Sequence, residues 1–140
     1  MDALRLPARM EYLETFRSYV LEKAEKWGID QETLFKIELV LEELLTNVIR
    51  YAYVDGGSGD VEVECSFQRD NRFYLSIQDW GKPFDPLQRE DPDLTKGVNE
   101  REIGGLGIHL VRQMADQVSY NREENSNKVH LCFQISTVCT

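Results

Sequence analysis

Apolar residues in the first third of the chain recur with a helical period. A short strand near Leu4–Leu6 comes first, and then Leu13, Phe16, Val20, Ala24 and Trp27 follow at intervals of three and four. Gly28 falls where a helix C-terminal cap belongs. Asp30 is the expected N-cap of a second helix, with Glu32 in its first turn. The apolar stripe of that helix runs Leu34, Ile37, Leu41, Leu45, Val48 and Ala52, and stops before the loop signal Asp55-Gly56-Gly57-Ser58-Gly59.

The period then changes to two. Val61, Val63, Cys65 and Phe67 alternate with polar residues, Asp70-Asn71 turns the chain, and Phe73, Leu75 and Ile77 alternate again. This predicts an antiparallel hairpin that ends at Asp79. Residues 85–103 are polar, contain prolines and show no period, which makes them either a misread element or a functional lid. After Gly104-Gly105-Leu106-Gly107 the helical period returns through Ile108, Val111, Met114 and Ala115. Two strands are predicted last, around Val118–Arg122 and Lys128–Thr137, joined by a turn rich in Asn and Ser. Helices, then an antiparallel-rich sheet with one more helix between its strands, predict an α+β two-layer sandwich.

Composition narrows the function classes. The 140 residues make one domain, 1–140, large enough to bury its own core. The 16 Lys and Arg against 25 Asp and Glu leave a net charge of −9. Nucleic acid and anionic membranes both call for a basic face, so neither is expected as a direct partner. No apolar run reaches a membrane span, and Met-Asp-Ala-Leu-Arg does not open a signal peptide, so a cytoplasmic protein is expected. Cys65, Cys132 and Cys139 form no metal-ligand spacing. Cys65 and Cys132 fall in alternating segments and read as buried small hydrophobes.

Three segments could carry chemistry. Glu43 and Asn47 lie one turn apart on the second helix, about 40° apart around its axis and away from the core stripe. A carboxylate and an amide so placed either form a solvated face or hold a divalent cation and orient an attacking hydroxyl. Asp79-Trp80-Gly81-Lys82-Pro83-Phe84 starts where the strand alternation stops. Asp-x-Gly there is either a plain turn or a carboxylate that accepts an exocyclic amino group, with Gly81 letting a ring approach the backbone. Gly104-Gly105-Leu106-Gly107 runs directly into an apolar-periodic helix. It is either a flexible loop or a set of backbone N–H groups that receives phosphate.

Taken together, Glu43-x-x-x-Asn47, Asp79-x-Gly81 and Gly105-x-Gly107 resemble, in order, the N, G1 and G2 boxes of the ATPase superfamily that includes gyrase, Hsp90, histidine kinases and MutL. Within it, EELLTN, DWGKPFDP and REIGGLGIHLVRQMADQVSY are most similar to the anti-sigma-factor serine-protein kinases of the RsbW and sporulation stage II AB type. The resemblance runs from about Ala8 to Ile135. It implies the Bergerat-type ATP-binding fold, a mixed, mostly antiparallel sheet with helices on one face and a mobile lid.

By that resemblance Glu43 matches the general base and Asn47 the Mg²⁺ ligand. Asp79 matches the acid that reads adenine, with Gly81 beside it. Gly104, Gly105, Leu106 and Gly107 match the phosphate-cradling turn, whose helix starts near Ile108. Arg101 is the nearest substitute for an Arg common before the glycines, where this chain has Ile103. Tyr51 stands where many relatives have His, and the Thr often found in the last strand is not evident. The implied reaction moves the γ-phosphoryl of Mg-ATP to a serine of a STAS-type anti-sigma-factor antagonist, with a sigma factor as a second partner and a homodimer admitted. The alternative is a module in which ATP switches partner binding without transfer. A histidine-kinase catalytic domain fits less well, because His109 and His130 both fall inside the nucleotide fold.

Overall fold

The computed structural model describes residues 2–53, 59–68, 70–83 and 105–135. The predicted loop at 55–59, except Gly59, the lid at 85–103 and Cys139 lie outside them. Strand β1 (Asp2–Pro7) leads through a 3-10 turn at Met10–Tyr12 into helix α1 (Leu13–Lys26). Gly28 takes a φ of 76°, and α1 ends in a Schellman motif: Ile29 N–H donates to the Ala24 carbonyl at 3.3 Å and Gly28 N–H to Glu25 at 3.0 Å. Ile29 is buried just beyond the cap.

Helix α2 (Gln31–Tyr51) starts as the sequence requires. The Asp30 carboxylate accepts the Thr33 N–H at 3.1 Å and the Thr33 hydroxyl at 2.8 Å. The buried stripe of α2 is wider than the predicted one, since Val40 and Leu44 join Leu34, Ile37, Leu41 and Leu45. The extra width is that of a helix packed against more than one neighbour, since α2 contacts both α1 and a third helix.

Strands β2 (Asp60–Gln68) and β3 (Arg72–Asp79) form the predicted hairpin, with Asn71 at a φ of 60° in its turn. Helix α3 (Gly105–Met114) then precedes β4 (Gln117–Glu123) and β5 (Ser126–Gln134). The last strand was expected at Lys128–Thr137. It begins two residues earlier, because a tight turn at Glu124 and Asn125, with Glu124 at a φ of 52°, replaces the longer polar connection.

The sheet order is β1-β2-β3-β5-β4. Where the resemblance implies a mixed sheet, all four ladders among the described residues are antiparallel. The α3 crossover brings β4 back in the direction of β3, and β5 inserts between them, so no parallel pair forms. One sheet face, carrying Val63, Leu75, Ile77, Leu131 and Phe133, is buried under the helices. Each such side chain stabilises the fold by about 1.5–3 kcal/mol. The other face carries Glu64, Ser76 and His130 in one cross-strand row. Cys65 and Cys132 are buried and outside any disulfide, as expected of small hydrophobes. No helix among the described residues is long and apolar enough to cross a membrane.

Candidate nucleotide site

Asp79 ends β3 on the helix-covered face and is only 6% exposed. Its Oδ1 accepts the Gly81 N–H at 2.9 Å and the Asn127 amide at 2.9 Å. Among the described residues, Oδ2 accepts nothing. Burial pushes the carboxyl above its ordinary range, against the pull of the Asn127 and Gly81 donors and the charge of Arg122. A buried carboxylate with one oxygen held and the other open is suited to accept a single N–H from a ligand.

The backbone after Asp79 is tied on three sides. Trp80 N–H donates to the Tyr53 hydroxyl, Arg122 donates to the Gly81 carbonyl at 2.9 Å, and Lys82 N–H donates to the Ala52 carbonyl at 3.1 Å. The last bond pulls this segment against the end of α2. A Cβ on Gly81 would collide with the Ala52 carbonyl oxygen and come within 2.6 Å of its carbon. Glycine is required at this position by contact within the protein, a reason that differs from the expected approach of a ring.

Glu43 and Asn47 lie on α2 toward its middle. At 1.5 Å per residue, Asn47 is about 7.5 Å and Glu43 about 13.5 Å along the axis from Ala52, which touches the Asp79 segment. Their order along the helix is therefore base end, Asn47, Glu43. The solvated-face alternative fails for Asn47, which is 3% exposed and whose Nδ2 has no hydrogen-bond partner among the described residues. It packs inside the molecule, where the helical wheel had placed it away from the core. It lies three residues beyond Leu44 and seven beyond Val40, in line with the buried positions that the predicted stripe left out. Glu43 is half-buried.

An orphaned buried amide is costly, and half a turn of the side chain exchanges Nδ2 for Oδ1. Oδ1 is the hard oxygen donor that Mg²⁺ takes, and Mg²⁺ characteristically uses one or two protein oxygens beside phosphate and water. Asn47 therefore fits the ion.

Helix α3 opens at Gly105, three residues before the expected start near Ile108. Gly105, Leu106, Gly107 and Ile108 are its first four residues among those described. Arg101 and Gly104 lie outside the described residues. Helix α2 is the shared neighbour, since both α3 and β3 pack on it.

Sequence reasoning missed Asn127, Tyr120, Arg122 and Tyr53. Their partners lie 7 to 48 residues away in the chain, and no local spacing marks them. Asn127 was absorbed into the polar turn, yet it pairs with Asp79 in the β3–β5 register.

The sequence profile described as "Histidine kinase-like ATPase domain" matches residues 6–133. The chain belongs to the histidine kinase-like ATPase domain family. Within that family it is similar to proteins named serine-protein kinase RsbW. That of Oceanobacillus iheyensis is 26% identical over 129 residues, covering 86% of this chain and 78% of the relative. The Bacillus pumilus protein is 29% identical over 121 residues, covering 82% and 74%. Among solved structures, the RsbU and RsbW domains of a Mycobacterium tuberculosis protein superpose with a TM-score of 0.66 at 14% identity, over 96% of this chain and 33% of that one. The catalytic domain of histidine kinase ThkA gives 0.55 at 16% identity, over 96% and 97%. These two show a shared fold.

Proposed function

We propose that this ATPase-family domain is a serine-protein kinase and anti-sigma regulator that phosphorylates a STAS-type anti-sigma-factor antagonist, with a sigma factor as the competing partner. The observation that carries the reading is the order along α2. Asp79 and Gly81 sit at its C-terminal end, the buried Asn47 amide comes next, and Glu43 is furthest from the base. The relatives named serine-protein kinase RsbW support the serine acceptor.

In this reading Asp79 takes the exocyclic amino group of adenine through Oδ2, and the first turn of α3 receives phosphate oxygens. Asn47 would hold Mg²⁺ through Oδ1, and the chemistry supplied there is charge neutralisation on the phosphates. Glu43 orients the acceptor hydroxyl and takes its proton as the γ-phosphoryl is transferred. The protein contributes mainly position and electrostatics.

The test is to incubate the full chain with Mg-ATP and a STAS-type candidate and to map phosphoserine by mass spectrometry. Stoichiometric phosphoserine that disappears with Glu43→Ala supports transfer. ATP binding and partner binding with no phosphoserine on any candidate would leave a nucleotide-gated binding module in place of a kinase.

A further inference from the structure

Asn127 uses both ends of its side-chain amide beside Asp79. Its Nδ2 donates to Asp79 Oδ1 at 2.9 Å and to the Lys82 carbonyl at 2.8 Å, while its Oδ1 accepts the Tyr120 hydroxyl. It is 3% exposed. The three acceptor and donor partners leave one orientation of the amide, because the reverse would set its oxygen against a carboxylate and a carbonyl. With Asp79 Oδ1 held by Asn127 and by the Gly81 N–H, the carboxylate cannot rotate, and Oδ2 is the oxygen that meets a ligand.

We infer that Asn127, oriented by Tyr120, is a positioning residue that sets the nucleobase specificity of the site by pinning Asp79 so that it accepts a 6-amino purine and rejects a 6-oxo purine. This rests on the reading of the pocket as an ATP site. A 6-oxo purine presents an acceptor where adenine presents a donor, with an N–H one ring position away. A carboxylate free to turn can reach that neighbouring N–H. A pinned one faces the oxo group, and two acceptors are left opposed without a proton between them. Asn127 makes this choice without touching the base, since both of its amide hydrogens are already engaged.

The experiment measures Kd for ATP and for inosine triphosphate on the full chain, with thermal melting to verify folding. Inosine triphosphate differs from ATP only at the 6-position and the adjacent ring proton. Wild type is expected to favour ATP by about 100-fold or more. Asn127→Ala is expected to lower that ratio about tenfold, and Asn127→Thr, which keeps one hydroxyl donor near Asp79, to recover part of it. Tyr120→Phe removes a single hydroxyl and is expected to lower the ratio about threefold, so it carries the same test should Asn127→Ala not fold. A merely structural role would weaken both nucleotides alike. An unchanged ratio in folded variants therefore overturns the inference and leaves the ATP site standing. Wild type that binds neither nucleotide overturns the ATP reading and the inference with it.

Discussion

The Tyr53 hydroxyl lies between two chain segments, accepting the Trp80 N–H at 2.8 Å and donating to the Asp60 carbonyl at 2.6 Å. Tyr53 follows α2 directly, Asp60 starts β2 and Trp80 follows β3. One phenol thus fastens the helix end to both strands of the hairpin beside Asp79. Its ring also fills the space next to Gly59, where a Cβ would collide with it.

Tyr53→Phe is expected to lower unfolding free energy by about 1–2 kcal/mol, because it strips a partner from two half-buried backbone groups while keeping the ring. Nucleotide affinity should fall as well, since the Trp80 backbone is what turns the chain from Asp79 into the pocket. Chemical denaturation and an ATP titration on the same preparation check both. Unchanged affinity would show that the turn holds without this bond.

Gly81→Ala is expected to cost about 1–3 kcal/mol, the range for forcing atoms into a packed site. The obstacle is backbone, the Ala52 carbonyl, and cannot swing aside as a side chain would. Either the Lys82–Ala52 hydrogen bond or the Gly81–Asp79 bond must lengthen, so ATP affinity should drop along with stability. If a folded Gly81→Ala variant kept full stability, the close approach would not be the reason for glycine.

Asp79 bears a cost that the proposed adenine contact would explain. Its folded pKa lies above its unfolded one because burial outweighs the donors around it. The folded state therefore holds the proton more tightly. Stability from this group is present below the unfolded pKa and is lost as pH rises through the folded pKa. Asp79→Asn, which can still accept from Gly81 and Asn127, is expected to melt higher than wild type at neutral pH. The gap should close as the pH falls and wild-type Asp79 protonates. ATP binding by the variant should weaken about 10–100-fold through loss of a charged acceptor. Melting curves across pH that run in parallel would show that Asp79 ionises without cost to the fold.

Much of this architecture was legible because it is written in local periods. The 3-4-4-3 spacing ending at Gly28 became α1 with its Schellman cap, Asp30 became an N-cap, and the alternation from Val61 to Ile77 became an antiparallel hairpin. What stayed hidden depends on packing between distant segments. Asn47 looks solvent-facing on a helical wheel drawn from the predicted stripe, since that stripe omits Val40 and Leu44, with which Asn47 is in line and buried. Asn127 looks like a turn residue until β5 is laid beside β3. The requirement for glycine at 81 comes from Ala52, and nothing in Asp-Trp-Gly announces it.

Glu43 and Asn47 should separate cleanly in their effects. Glu43→Gln keeps the shape and removes the base, so ATP binding should hold within about twofold while phosphoryl transfer falls about 10²–10⁴-fold. Asn47→Asp places a charged oxygen where the amide is orphaned. Without Mg²⁺ that buried carboxylate repels the phosphates and ATP affinity should drop below wild type. With Mg²⁺ the affinity should recover, which makes its dependence on Mg²⁺ steeper than in wild type. Calorimetric titrations of ATP across a Mg²⁺ series, in both variants and wild type, read the two effects independently of catalysis. A Mg²⁺ dependence that is the same in Asn47→Asp and wild type would remove Asn47 from the ion site, and the buried amide would then need a phosphate oxygen or a water as its partner.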